Sequence, residues 1–244
     1  MTVDPLRALP TRPRRARRWA FLALALVILY LLAAYWLIPL AWESYGRRHP
    51  TFDDNPRLTQ TSDGHPGDPL NVALIASEQQ LQYAMRAAKW FPAAPLGLKS
   101  DLKIAADTVL SRSDVEAPVS RLYLFGRQED LAFEQPVGNN PRQRHHVRLW
   151  RTTSLDSDGR PTWIGSASYD ERVGFSHTTG QVTHHIAPDV DTERDHLFDS
   201  LENSGSLSDV YAVDDFHTVQ QGRNGGGDRW HTDGRLLVGV VDVH

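Results

Sequence analysis

Two histidine doublets carry most of the chemistry this sequence could perform: His145-His146 in RQRHHVRLW and His184-His185 in QVTHHI. Strand alternation splits each pair between two faces. His145 falls with Val147 and Leu149, and His146 with Arg148 and Trp150; His184 falls with Val182 and Ile186, and His185 with Thr183. One imidazole of each doublet then enters an apolar layer, where it needs a hydrogen-bond partner or a specific use. An acidic segment, PDVDTERD, follows the second doublet directly. With its Asp189 brought beside His145, His146, His184 and His185, the set could carry acid–base catalysis. His184, His185 and Asp189 are also the candidate ligands of a divalent metal. The metal is admitted but not favoured, because no H-E-x-x-H or comparably dense spacing is present. Capping and the helix dipole alone account for acids at Asp189, Asp191 and Glu193. No other cofactor is indicated.

Arginines surround the first doublet: Arg121, Arg127, Arg142, Arg144 and Arg148. A guanidinium fork suits carboxylate or phosphate, which makes Arg144 and Arg148 candidates to hold an anion. Their competing use is to pair with the surplus acids of the same region. Several other chemistries fail on inspection. There is no cysteine, hence no thiolate nucleophile, disulfide or Cys-type zinc site. Gly225-Gly226-Gly227 lacks the Lys-Ser/Thr of a phosphate loop, and no G-x-S-x-G elbow occurs.

The elements that must position these residues lie beyond residue 70. Leu70–Ala76 reads as a buried strand, and Ser77 with Gln80 as a capping box for the helix carrying Leu81, Met85 and Trp90. A second helix is expected from Ser100 to about Leu110. Strands follow at Val119–Phe125, Asp130–Glu134, His145–Arg151, Thr162–Ala167 and Val182–Ile186. Asp189 or Asp191 caps a helix through about Glu202, Gly205 ends it, and Arg235–Val243 is a last strand. Helices first and strands after predict an α+β fold, with a mixed α/β sandwich as its variant.

Ahead of this domain the composition changes. Residues 1–42 hold six arginines and one acid, a net +5, against a net −9 for the rest of the 244-residue chain. Such an acidic remainder without a Lys/Arg stripe argues against a nucleic-acid partner. From Trp19 to Trp42 there are 24 uncharged residues, about 36 Å as a helix and longer than the ~30 Å hydrocarbon core. Aromatics sit near both ends, and no A-x-A-like cleavage site follows. The expected organisation is a basic cytoplasmic arm (1–18), a transmembrane helix (19–42) buried in the lipid bilayer, a Pro-rich linker (43–69) and one extramembrane domain (70–244). The arginine asymmetry places the amino end in the cytoplasm and the domain outside it, periplasmic at a bacterial inner membrane.

The blocks Pro118–Trp150 and Pro161–Leu197, with the closing HTDGRLLVGVV (His231–Val241), resemble the LssY carboxy-terminal domain family over roughly Pro66 to His244. The resemblance implies a domain of unknown biochemical function, found behind a membrane anchor or at the end of longer membrane proteins. Some of those relatives also carry a phosphatidic acid phosphatase domain. This chain lacks the Pro-Ser-Gly-His block of such a phosphatase. The expectation is therefore an envelope binding or accessory module, whose partner is an envelope protein or a lipid-linked ligand. The alternative is a membrane-surface hydrolase of a phosphorylated or lipid-linked substrate, working through the His/Asp set. Whether the domain is an enzyme stays open at this level.

Overall fold

The computed structural model describes residues 14–50, 52–93, 121–138, 143–175 and 182–243. The helix expected from Ser100 to about Leu110 lies outside them, as does Arg142. The chain divides into two compact units, Met1–Pro50 and Thr51–His244.

The first unit is helical: α1 (Arg14–Leu32), a π-turn (Ala33–Leu37) and α2 (Ile38–Arg48). Pro39 cannot donate to the carbonyl of Tyr35, and its ring would clash there, so the helix widens by one residue just ahead of it. Arg15–Gly46 is long and apolar enough to cross a membrane. It overruns the expected 19–42 span at both ends. The helix continues to Arg48, and strands occupy Leu58–Thr61 and Pro66–Pro69. Residues 43–69, read from sequence as a linker, therefore hold the end of the helix and the start of the domain. Proline density misled there: Pro66 and Pro69 bound a short strand rather than interrupting one.

The second unit is an α+β sandwich. Its main sheet runs in the order β11 (Leu207–Val213), β14 (Leu236–Val241), β3 (Val72–Ile75), β9 (Pro161–Phe175), β8 (Arg144–Leu155), β7 (Leu131–Pro136) and β4 (Phe91–Pro92). Among the described strands of this sheet, only β14 and β3 run parallel. The 15-residue β9 pairs with β3 along its first half and with β10 (Val182–Ile186) along its second, while β8 covers its other edge. A small sheet, in the order β2 (Pro66–Pro69), β1 (Leu58–Thr61), β5 (Leu122–Leu124) and β6 (Arg127–Gln128), forms a second layer. A ribbon of β12 (Gln221–Arg223) and β13 (Arg229–His231) completes the described strands.

Two of the described helices make the third layer. α3 (Glu78–Ala87) starts on the Ser77/Gln80 capping box, and α4 (Val190–Asn203) starts on Asp189. Leu81, Met85, Leu197, Phe198 and Leu201 pack with Val72, Leu74, Val147, Leu149 and Trp163 on one face of the main sheet. On the opposite face Ala73, Ile75, Trp150, Ile164, Val238 and Val240 pack with Leu122 and Leu124 of the small sheet. A methyl group on Gly165 would overlap the Arg148 carbonyl, so glycine there lets β8 and β9 close up beside the polar end of this layer.

Candidate functional site

Alternation along β8 and β9 builds the site. Residues facing the small sheet pair in rows: Trp150 with Ile164, Arg148 with Ser166, His146 with Ser168, and Arg144 with Asp170. The first row is core. The next three are polar, and five of their six residues are buried, Arg144 being partly so. The inter-sheet layer therefore changes from hydrocarbon to ionic within three rows. At that end lies a cavity of about 40 Å³ lined by Thr61, Gly67, Asp68, Leu122, Arg148, Ser168, Asp170, His184, Ile186 and Asn224–Gly226. That is room for roughly three waters or one small polar group.

Arg144 is the organiser. Its Nε donates to Asp170 Oδ2 at 3.0 Å, Nη1 to Glu134 Oε2 at 3.0 Å and Nη2 to His184 Nε2 at 3.2 Å. A guanidinium only donates, so His184 Nε2 accepts and a neutral ring carries its proton on Nδ1, 3.4 Å from Asp170 Oδ2. Burial raises the Glu134 carboxyl, and the Arg144 charge opposes that rise.

Arg148 is differently placed. It is 5% exposed, yet its guanidinium makes no hydrogen bond to any described residue. Its nearest carboxylates are Asp68 at 3.6 Å and Glu129 at 4.0 Å, ion-pair distances outside hydrogen-bond range. Asp68 accepts from Asn224 Nδ2 at 2.9 Å. Burial pushes its carboxyl up, against the pull of Arg148 and Asn224, and Asp170 and Asp228 push it further. His146, also 5% exposed, has no hydrogen-bond partner for Nε2 among the described residues. Burial holds it well below the ordinary histidine value, and the charges of Arg148, Arg144 and His184 add to that, so it is neutral.

The structure thus brings Arg144, His146, Arg148 and His184 to one side of the sheet. His185 lies nearby, donating from Nδ1 to Asp228 Oδ1 at 2.6 Å; a Cβ on Gly174 would come 2.8 Å from its Nε2. His145 faces the helices, as its alternation with Val147 and Leu149 predicts. There it donates to Glu193 Oε2 at 2.7 Å and stacks on His196 at 3.9 Å between centroids. Burial raises Glu193, against its hydrogen bond from His145; it lowers His196, as does the His145 charge. Asp189 is not drawn into either histidine group: its carboxylate caps α4, accepting from the N–H of Asp191 and Thr192. Among the described residues, no group of three or more His, Asp or Glu is arranged to hold a metal ion.

Sequence reasoning missed Asp68, Ser168, Asp170 and Asn224. A signal existed for two of them: Ser166, Ser168 and Asp170 alternate with Gly165, Ala167 and Tyr169, a polar stripe of strand period.

A family model described as LssY C-terminus matches residues 52–236. No curated protein matches the chain, and no solved structure does.

Proposed function

We propose, for a chain that belongs to the LssY C-terminal family, a membrane-anchored binding module that displays one small polar cavity outside the cytoplasm. The observation that carries the reading is Arg148, a buried guanidinium at the cavity wall with no hydrogen bond to a described residue. A buried charge left so loosely paired weakens a fold, and such features are tolerated where a ligand completes them. Anchoring rests on the apolar Arg15–Gly46 helix, and orientation on the arginines that precede it. The bilayer is then the first partner, and an envelope protein or lipid-linked molecule supplies the ligand.

The competing reading is a membrane-surface hydrolase. It is favoured by the His185–Asp228 pair, which orients an imidazole as a general base requires. The geometry supports it less well. His185 Nε2 packs against Gly174, and His184 Nε2 is occupied by Arg144.

The chain's lack of cysteine makes placement directly measurable. Ser157→Cys, in an exposed turn of the domain, is expected to react with a membrane-impermeant maleimide in intact spheroplasts. Thr2→Cys in the basic arm is expected to react only after lysis. The reverse pattern, or labelling of both before lysis, contradicts the assignment.

A further inference from the structure

Three candidates emerge beyond the anchored module itself: the His145–Glu193–His196 group under the helices, the His185–Asp228 pair, and the Arg148 wall of the cavity. The first two are internally paired through 2.7 Å and 2.6 Å hydrogen bonds. Arg148 is the one of the three that lines the cavity, and its guanidinium makes no hydrogen bond to any described residue. We propose that the cavity holds a tetrahedral oxyanion, a phosphate- or sulfate-like group, which takes the Arg148 guanidinium from Asp68 and leaves Asp68 protonated. This rests on reading the cavity as a ligand site and names the ligand's chemistry.

Arg148 offers planar, paired N–H donors that match an oxyanion edge bidentately. Its present carboxylate neighbours stand at 3.6 and 4.0 Å, too far to accept them. Ser168, on the row next to Arg148, adds a hydroxyl at the cavity wall, and the volume of about 40 Å³ suits one such group rather than a larger organic ligand. His146 Nε2, on the same face of β8, is a buried polar atom without a hydrogen-bond partner among the described residues.

Charge balance requires the proton. With Asp68 and Glu129 ionised, Arg148 is already overcompensated, and an entering anion would meet net repulsion. Asp68 faces Arg148 from β8, Asp170 from β9, and Asp228 and Asn224 from the ribbon loop. Its two carboxylate neighbours, together with burial, already push it toward the neutral form. An anion on Arg148 completes that shift: one proton moves from solvent to Asp68, and the Arg148–Asp68 ion pair is exchanged for an Arg148–oxyanion pair. A neutral Asp68 can itself donate to the anion.

The test is calorimetric titration of the full chain in neutral detergent with sulfate, which stays dianionic across the range used. Sulfate is expected to bind at one site lost in Arg148→Met, with affinity about tenfold or more higher at pH 5.5 than at pH 8. Asp68→Asn, which removes the titrating group, is expected to bind at pH 8 nearly as tightly as the wild type does at pH 5.5. Competition by dihexanoyl phosphatidic acid and by inorganic phosphate then separates a lipid headgroup from a free ion; stronger competition by either supports the oxyanion class. Absence of sulfate binding overturns the proposal. So does binding unchanged in Arg148→Met, which would belong to the arginine-rich arm, or affinity independent of pH. Binding of neutral myo-inositol instead, lost in Arg148→Met, overturns the oxyanion while leaving the cavity as a ligand site.

Discussion

Asn71→Ala is expected to lower stability by about 3–4 kcal/mol, enough to move thermal unfolding by roughly 10 °C. Asn71 is wholly buried just before β3. Its Nδ2 donates to the carbonyls of Ala167 at 3.0 Å and Val190 at 2.8 Å, and its Oδ1 accepts from the Ala167 N–H at 2.8 Å. One side chain thus ties β9 to the start of α4. Its removal strands one backbone donor and two acceptors, each costing about 1–3 kcal/mol when water cannot replace the partner. Near-ultraviolet circular dichroism of the full chain during heating measures the effect. A change below 1 kcal/mol would mean that water reaches these groups and that the β9–α4 junction is not closed.

Arg144→Met is expected to cost about 3–5 kcal/mol at neutral pH. The variant keeps much of the side chain's length but removes the charge shared by Asp170 and Glu134, both at 3.0 Å, and the donor that orients His184. The sign of the pH dependence follows from Glu134. Burial already raises its carboxyl, and Arg144 is the main opposing influence. Without Arg144 the folded-state value rises further above the unfolded one. The resulting penalty grows as pH rises through the folded value and vanishes below the unfolded one. The gap between wild type and Arg144→Met should therefore be widest near pH 8 and shrink toward pH 4. Melting temperatures at the two ends check it; a gap that widens on acidification contradicts the assigned role.

What was legible in the sequence was local. Val182–Ile186 forms the strand expected of it, the Ser77/Gln80 box caps α3, and Asp189 caps α4. Alternation put His145 on the face of Val147 and Leu149 and His146 on that of Arg148, because a pleated strand leaves no other choice. The cavity was not legible, because its walls meet only through folding. Asn224 and Asp68 stand 156 residues apart in the chain, and nothing in PGDP announces a buried carboxylate. β11 escaped notice for a different reason. It is an edge strand with all seven positions at least partly exposed, so LSDVYAV carries no apolar run. Asp189 carried two readings in the sequence, a partner for the histidine doublet and a helix cap, and its carboxylate caps α4.

If Arg148 and Asp68 are held for a ligand rather than for the fold, their joint removal costs the fold little, unlike that of Asn71 or Arg144. The most direct measurement is thermal unfolding of the Arg148→Met/Asp68→Asn double variant at neutral pH. It removes both charges of a pair separated by 3.6 Å and leaves the Asn224 contact an acceptor. Stability within about 1 kcal/mol of the wild type, or above it, is expected, with sulfate binding abolished. A loss of about 3 kcal/mol or more, comparable to Asn71→Ala, would contradict it and make the pair part of the structural core.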